Sequence, residues 1–485
     1  MLSKFSVLFG IFPLDVLGAI LSAVWPSGFE PDVIPEKFTG GVLSSYVIAL
    51  EAWRRGLRVT LQRPRLARFS VSDGSRTVRF NYSRPTSLTS EEAFRTVNNK
   101  YATNEALRSA GLPVPRSEVL DVETASLVDV ASIAEQVGYP VVLKPLKGSK
   151  GHGVICGISD SAELLSGYKW LTEDLGIRSV LLEEFVSGAD YRVYVVGGKA
   201  VSVIERVPAN VTADGVSTVG QLVELKNTLR SKNPFLSSGP ISRDREVDLL
   251  LAEQGLEWES VVESGRNVVL RRAANASAGG DVIEKADSAP EAMKDVAVRA
   301  VDAIPDLASA GVDILYDETR NGKDQFVVLE LNARAHIGVN MYPSSGVGRD
   351  VPSAILDAFF PGSAEKKSPN LDNVRFNLKS IAGPLQDGSA FSVTIRRIPS
   401  HGFGFRQQYR FRDMPSPVSD RLKGALRRTA SRNDVSGRLD AHRKLLFLAG
   451  DQESVARTVS AAQELFGEEY SASEWRGVVD MGFYI

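Results

Sequence analysis

The sequence is poor in cysteine and histidine, and its charges nearly cancel. Its single cysteine, Cys156, excludes an internal disulfide framework and a cysteine-rich metal site, so we expect a reducing compartment. The four histidines show no spacing typical of zinc ligands. A formal net charge of −2 gives no reason to propose a nucleic acid as partner.

The sequence also lacks an uninterrupted apolar run of membrane-spanning length. Residues 5–25 are largely apolar, but they include Pro13 and Asp15, and Lys4 is the only basic residue before them. We interpret this stretch as a buried or amphipathic element and not as a spanning helix or a signal peptide. The sequence therefore predicts no membrane partner and a cytoplasmic location.

The length of 485 residues is too great for one compact core and predicts several domains. The composition changes at residues 362–370, GSAEKKSPN, which we interpret as a linker. We expect an α+β protein with three parts: an N-terminal α/β domain at 1–96, a central domain at 97–365 and a C-terminal domain at 371–485.

Residues 311–334, GVDILYDETRNGKDQFVVLELNAR, contain two apolar runs that flank Asn321-Gly322. An Asn-Gly pair between such runs predicts a β-hairpin. In a hairpin symmetric about that turn, Asp313 faces Glu330, and the side chain of Asn332 points to the same face as that of Glu330. Three oxygen ligands on one face suit Mg²⁺, which proteins bind with few carboxylates. The alternative is an ordinary hairpin with a polar face.

Residues 138–153, GYPVVLKPLKGSKGHG, predict a buried strand that carries Lys144 into a glycine-rich loop. A lysine among buried valines needs an anionic partner, and exposed loop N–H groups can hold phosphate oxygens. The loop is not a P-loop, because no Gly-Lys-Ser/Thr is present. A solvated turn is the alternative. Further along the chain, Gly197-Gly198 predicts a second hairpin.

The order of these segments resembles the ATP-grasp superfamily of carboxylate–amine ligases, in particular the ATP-grasp module of bifunctional glutathione synthetases and of cyanophycin synthetase. The resemblance rests on NNKYATNEALRSAGLPVP, VVLKPLKGSKGHGV, the LLEEFVSGADYRVYVV region, VVLRRAANASAGGDVI and VVLELNARAHIGVNMYPSSGVGRDV. These motifs cover about residues 97–361. They imply an ATP-grasp fold between a small α/β domain and a further α/β domain.

The resemblance also implies roles for residues at matching positions. The implied ATP-binding residues are Lys100, Lys144, the flap residues Gly148, Ser149, Lys150, Gly151, His152 and Gly153, the adenine-binding Glu183, Glu184, Phe185 and Val186, and the ribose-binding Asp190. Asp313, Glu330 and Asn332 are implied to bind two Mg²⁺, for which Mn²⁺ can substitute. The implied catalytic residues are Arg272, Arg271 and Asn275, and the implied substrate contacts are Arg206 and Arg192.

The implied reaction joins a carboxylate to an amine through an acyl-phosphate, with release of ADP and phosphate. Phosphoryl transfer needs positioning and charge neutralisation more than covalent help from the protein, which agrees with the lack of an evident nucleophile. We expect ATP and small carboxylate and amine substrates, such as amino acids or small peptides, as partners. A homodimer is left open.

The sequence departs from these relatives after Asn332, where Arg334 stands in place of a proline. We predict that Arg334 binds a substrate carboxylate. The segment HGFGFR and the strand–strand–helix order after it resemble acylphosphatase, a ferredoxin-like fold, which implies Arg406 for phosphate and Asn433 for water. Two alternatives remain: a non-catalytic ATP-binding protein of the same fold, and an acylphosphate hydrolase centred on the C-terminal domain.

Overall fold

The computed structural model describes residues 23–35, 38–63, 67–147, 153–320, 322–368, 370–400 and 402–484. Most of the apolar stretch at 5–25 therefore lies outside the described residues. The described part contains both helices and mainly antiparallel sheets, consistent with the expected α+β class.

The strands of the described part, in chain order, are β1 (Arg58–Gln62), β2 (Arg68–Ser72), β3 (Thr77–Asn81), β4 (Arg84–Pro85), β5 (Ser117–Asp121), β6 (Val141–Pro145), β7 (Ile155–Ile158), β8 (Ser179–Glu184), β9 (Ala189–Val196), β10 (Lys199–Val207), β11 (Asn210–Thr212), β12 (Asn267–Val269), β13 (Asp281–Glu284), β14 (Ser309–Tyr316), β15 (Phe326–Asn332), β16 (Val374–Arg375), β17 (Ser392–Thr394), β18 (Phe405–Phe411), β19 (Ser436–Asp440), β20 (Leu445–Gly450), β21 (Tyr470–Glu474), β22 (Val479–Asp480) and β23 (Phe483–Tyr484). The α-helices are α1 (Gly40–Arg54), α2 (Glu91–Val97), α3 (Lys100–Ser109), α4 (Leu127–Val137), α5 (Ser161–Lys169), α6 (Val219–Arg230), α7 (Arg245–Glu253), α8 (Glu291–Asp302), α9 (Gly338–Met341), α10 (Val351–Phe359), α11 (Leu378–Gln386), α12 (Asp420–Arg432) and α13 (Gln452–Phe466).

The chain divides into two compact units that are not continuous in sequence. Beyond the undescribed N-terminus, the first unit contains residues 39–43 and 83–354, and the second contains residues 26–38, 44–82 and 355–485. This division differs from the three consecutive domains expected from the sequence. The physical reason is that β1 pairs with β17 more than 300 residues later, with Thr60 opposite Thr394.

The main sheet of the first unit has the strand order β13-β10-β9-β14-β15, with antiparallel neighbours. Alternation along β9 sends Tyr191 and Val193 into a core formed with α2, α3 and α8. The residues that alternate with them, Asp190 and Arg192, therefore lie on the opposite face. The hairpin of β9 and β10 turns at Gly197-Gly198, both at positive φ, as the sequence predicts.

A second sheet of the first unit has the order β5-β8-β6-β7 and packs its apolar side chains with those of α4 and α5. Strand β6 is almost wholly buried, as expected for the segment that carries Lys144. Helix α3 begins at Lys100, and the side chain of Asn99 caps it by accepting from the backbone N–H of Ala102.

The second unit is built around the N-terminal helix α1 and residues from the C-terminal part. One antiparallel sheet has the order β17-β1-β2-β3 within this unit. Arg54 at the end of α1 is 1% exposed, and its guanidinium donates to the carbonyl oxygens of Gly28, Asp372 and Val374. This arginine therefore fixes α1 to two distant segments through their backbone carbonyl oxygens.

The C-terminal part of the second unit follows the chain order β18-α12-β19-β20-α13-β21. Its sheet has the order β21-β18-β20-β19-β23, and the two helices pack against one face. Apolar side chains that include Phe411, Leu426, Leu448 and Val459 form this core.

Across the described part of the chain, no helix is both long and apolar enough to cross a bilayer.

Candidate active site

The hairpin of β14 and β15 carries the residues that the sequence predicts as metal ligands. Asp313 is paired with Glu330, as expected, and Asn332 is paired with Gly311. The predicted two-residue turn is wrong, because the strands end at Tyr316 and resume at Phe326, and a short 3₁₀ helix lies between them. A register shift after Asp313 accompanies this longer connection. Asn321 itself lies outside the described residues.

Asp313, Glu330 and Asn332 converge on the face of the main sheet opposite the apolar core. The Nδ2 atom of Asn332 donates to Oε1 of Glu330 at 3.0 Å, and Glu330 lies within hydrogen-bonding reach of Asp313. Two carboxyl groups in contact repel each other unless a proton or a cation lies between them. The sheet therefore brings the three predicted oxygen donors together.

Two arginines neutralise Asp313, which is only 3% exposed. Arg192 donates through Nε and Nη2 to the two oxygens of Asp313 at 2.6 and 2.7 Å, and Arg206 Nη2 donates to Oδ2 at 3.0 Å. Arg206 also donates to Asp190 at 2.6 and 3.0 Å. Arg192 and Arg206, predicted as substrate contacts, thus bind protein carboxylates in this structure.

The carboxylates of this network have opposite pKa shifts. Burial raises the pKa of Asp190 to about 6. The negative charge of Asp313 also raises this pKa, whereas the positive charge of Arg206 lowers it. Burial alone would also raise the pKa of Asp313, but Arg192 and Arg206 together lower it to about 2. Asp313 is therefore a permanent anion, and Asp190 is the carboxyl group of the pair that more readily takes a proton.

Lys144 has the anionic partner that its burial requires, and this partner is Glu183. Their side chains form an ion pair, and they are 9% and 3% exposed as residues. Burial lowers the pKa of Lys100, Lys144 lowers it further, and Glu330 and Glu183 partly restore it. Lys100 is thus close enough to Lys144, Glu183 and Glu330 to interact with them electrostatically, so one predicted phosphate-binding lysine lies near the other and near a predicted metal ligand.

Five of the predicted flap residues, Gly148, Ser149, Lys150, Gly151 and His152, lie outside the described residues. Gly153 is buried at a positive φ of 73°, and a Cβ atom there would lie 3.0 Å from the side chain of Pro145. A side chain at position 153 would therefore be strained as well as crowded.

In the segment predicted to bind adenine, two backbone N–H groups already donate hydrogen bonds within the protein. Glu184 N–H donates to Arg116 O at 2.9 Å, and Phe185 N–H donates to Pro140 O at 3.1 Å. Val186 lies beyond the end of β8, and among the described residues its N–H group donates no backbone hydrogen bond. Binding of adenine by this segment stays a prediction.

The predicted catalytic residues make contacts of a different kind. Arg271 forms ion pairs with Asp244 at 2.7 Å and Glu246 at 2.8 Å, which fixes it to the start of α7. The side chain of Arg272 is 68% exposed and pairs with Glu253 at 2.5 Å. Of these two arginines, Arg272 keeps the more accessible charge.

Asn275, the third predicted catalytic residue, caps a short 3₁₀ helix by accepting from Ser277 N–H at 3.0 Å. This contact orders the loop that follows the two arginines. The structure gives Asn275 a role in loop geometry, and its predicted place near the reacting centre stays a prediction.

Arg334 lies over the ring of Phe94, with 4.6 Å between the guanidinium carbon and the ring centroid. Arg84 lies 3.7 Å from the same centroid. The two guanidinium carbons are therefore no more than about 8 Å apart. Arg84 was missed from the sequence, because nothing in its local pattern shows that it would pack beside a residue 250 positions later.

Arg84 is buried, and its Nε and Nη1 atoms find no hydrogen-bond partner among the described residues. Its Nη2 donates to Glu91 at 2.9 Å. A hydrogen bond also connects the two segments that carry Arg84 and Arg334, because Ser83 Oγ donates to the backbone oxygen of Ala335 at 2.6 Å. Arg334, in the segment after Asn332, and Arg84, in β4, therefore pack against the same ring, and the anion-binding role of Arg334 stays a prediction.

The donor set of the hairpin fits a divalent cation of the Mg²⁺ type. Asp313 and Glu330 supply carboxylate oxygens and Asn332 an amide oxygen, which are the donors that hard cations prefer. Across the described residues, no group of three His, Cys, Asp or Glu residues forms a metal cluster. This is consistent with a set of only two carboxylates and an amide, completed in such sites by a phosphate ligand.

Comparisons with known proteins show which proteins this chain resembles. Residues 97–235 match the family model for the ATP-grasp domain. The chain is 34% identical over 281 residues to cyanophycin synthetase from Geminocystis herdmanii, which covers 56% of this chain and 31% of that protein. It is 31% identical over 346 residues to the glutathione biosynthesis bifunctional protein GshAB from Listeria innocua, which covers 68% of this chain and 43% of that protein.

A solved structure gives the same result. The bifunctional glutathione synthetase from Pasteurella multocida aligns with a TM-score of 0.51 and 25% identity, over 66% of this chain and 43% of that chain. Residues 97–235 therefore match an ATP-grasp domain, as the sequence motifs indicate, and the chain resembles the bifunctional glutathione synthetases and cyanophycin synthetases. It spans less than half the length of these curated relatives.

Proposed function

We propose that this protein is an ATP-dependent carboxylate–amine ligase. It forms a peptide or amide bond through an acyl-phosphate and releases ADP and phosphate, with amino acids or small peptides as substrates. The observation that carries the proposal is the convergence of Asp313, Glu330 and Asn332 on one sheet face, with Lys100 close to Glu330 and to Lys144.

The distribution of charge supports phosphoryl transfer at this site. Lys100 and Lys144 offer positive charge to the phosphates of ATP, and Glu183 holds the Lys144 ammonium in place. One or two Mg²⁺ ions held by the hairpin would neutralise the transferred phosphate. Fixed charges in a partly buried site stabilise a transition state without having to reorganise.

The proposed reaction has two steps. A carboxylate oxygen of the first substrate attacks the γ-phosphorus of ATP, and the bond to the ADP oxygen breaks. The amine of the second substrate then attacks the acyl carbon, phosphate leaves with the bonding electrons, and the amine nitrogen loses a proton. Arg272 is the proposed contact for the departing phosphate, because its side chain is the exposed one of the pair.

Arg334 is the proposed contact for a substrate carboxylate, with Arg84 beside it. Both guanidinium groups pack on the ring of Phe94. Arg334 lies two residues beyond Asn332, the last residue of the strand that carries Glu330. A bound carboxylate would accept charge-assisted hydrogen bonds from the Arg334 guanidinium. The product is therefore not assumed to be glutathione or cyanophycin.

We propose a ferredoxin-like arrangement for the C-terminal part, supported by its β-α-β-β-α-β chain order. The hydrolase alternative finds little support there. Arg406 donates to the carbonyl oxygens of Phe403 and Asn370 and to the side chain of Asn373. Asn433 donates instead to Thr458 at 3.0 Å. The two residues are thus engaged with different partners.

The test is Mg²⁺-dependent ADP release from ATP over a panel of amino acids and dipeptides, with mass spectrometry of the products. Wild-type protein should release ADP only with a carboxylate–amine pair and give a condensed product. Glu330→Gln should lower that rate at least about 100-fold, because it removes a ligand charge needed in the transition state.

Glu318→Gln is the matched control, since Glu318 is an exposed carboxylate in the same hairpin, beyond the end of β14. It should keep the wild-type rate. Tight ATP binding with no turnover for any pair would favour the non-catalytic alternative. Equal losses in both variants would remove Glu330 from the proposed metal site.

A further inference from the structure

A cavity in the second unit has no role in the proposed reaction. It has a volume of about 380 Å³ and lies between the segment after β17, helix α12 and the last strand, β23. Every residue that lines it belongs to the second unit. We call it the Arg427 cavity, after the lining residue on which the argument depends.

One wall of the Arg427 cavity is apolar. Phe376, Ile381, Ile395 and Phe483 line it, and each is at most 8% exposed, so they belong to the core and hold their positions. A rigid apolar wall in a cavity of this size is typical of a small-molecule site.

The polar wall carries an excess of positive charge. Arg396 and Arg427 line the cavity together with a single acidic residue, Asp434. Arg396 forms an ion pair with Asp434, so that these two charges cancel. Arg427 is exposed, and within the described part of the chain it forms no ion pair and donates no side-chain hydrogen bond, so its charge is available to a ligand.

We propose that the Arg427 cavity binds a small carboxylate with an apolar body, such as an apolar amino acid or the end of a short peptide. The carboxylate accepts hydrogen bonds from the Arg427 guanidinium, which is well shaped for that group. The apolar body packs against Phe376 and Ile381. Such a site would recognise a substrate, a product or an effector without any residue of the ATP-grasp domain.

The test is calorimetric titration of the full chain with matched pairs of probes. N-acetyl-phenylalanine and N-acetyl-leucine carry the carboxylate, and their amides have the same shape without the charge. We expect the acids to bind at least about tenfold more tightly than the amides, because a charge-assisted hydrogen bond is lost in the amides.

The matched variants are Arg427→Gln and Arg428→Gln. Arg428 is the next residue of the same helix, is also exposed and does not line the cavity. Arg427→Gln should remove the preference for the acids, whereas Arg428→Gln should keep it. Glu330→Gln should also keep it, which separates this site from the proposed active site.

Three results would overturn the proposal. The first is that no acid probe binds at concentrations up to about 10 mM. The second is that acids and amides bind equally well to the wild type. The third is that the Arg427→Gln and Arg428→Gln variants lose affinity for the acids equally. Circular dichroism and thermal unfolding of the variants would exclude a folding defect. Failure of the ligase assay would not affect the proposal, since titration requires no turnover.

Discussion

Lys144→Met tests how much the buried ion pair between Lys144 and Glu183 contributes to local stability. Removing the lysine leaves the carboxylate of Glu183, which is 3% exposed, without its main partner. Breaking a buried pair in this way costs about 3–5 kcal/mol. Asn104 remains at 3.4 Å from Glu183, and Lys100 still attracts it. We therefore expect the lower end of that range, about 3 kcal/mol.

The double variant Lys144→Met/Glu183→Gln should recover most of that loss. With no buried charge left, the site becomes a neutral one, and such replacements are often close to neutral in stability. Lys147→Met is the control, because Lys147 is an exposed lysine of the same segment. Its effect should stay within about 0.5 kcal/mol.

Hydrogen exchange of the amides in β6 and β8 is the appropriate assay, because the chain has two units and a single unfolding transition is not assured. A loss of about 3 kcal/mol should speed exchange there about a hundredfold. ATP affinity, measured in parallel, should fall in both Lys144 variants, since both lack the lysine. An equally large loss of protection in the double variant would refute the argument that an unpaired Glu183 causes the instability.

Three further variants test other contacts. Arg54→Met should lower the local unfolding free energy, measured by hydrogen exchange in α1, by about 3 kcal/mol or more, since three carbonyl oxygens lose their donor, whereas Arg58→Met, at an exposed position of β1, should have little effect. Arg334→Ala should raise the KM for the carboxylate substrate about tenfold or more with little change in kcat; an unchanged KM would exclude it as a substrate contact. Gly348→Ala should lower the Tm by several degrees, because the new Cβ would lie 2.0 Å from a carbonyl oxygen of α9, whereas Gly383→Ala meets nothing within 4 Å and should be tolerated.

The local features of the site could be predicted from the sequence because they depend on short-range patterns. Alternation of side chains placed Asp313 opposite Glu330, and burial among valines required an anion beside Lys144. The prediction of a two-residue turn between β14 and β15 was wrong. The strands end early, and a longer connection with a 3₁₀ segment then replaces a tight Asn-Gly turn.

The features that the sequence could not give depend on contacts between distant residues. Strand β1 pairs with β17, and Arg54 binds carbonyl groups more than 300 residues away. A local pattern shows that β1 is a strand but not which strand it pairs with, because many edges offer equivalent hydrogen bonds. The same limit hid Arg84, which meets Arg334 only in the folded chain.

The two carboxylates of the hairpin differ in how free they are to bind a cation. The oxygens of Asp313 already accept three hydrogen bonds from arginines, and the buried position makes release of those bonds costly. Glu330 is half-buried and accepts from the neutral amide of Asn332. Glu330 therefore has the more available negative charge, while Asp313 fixes Arg192 and Arg206 in place around it. On this argument Glu330 is the principal cation ligand of the proposed site, and Asp313 contributes chiefly by organising the positive charges beside it.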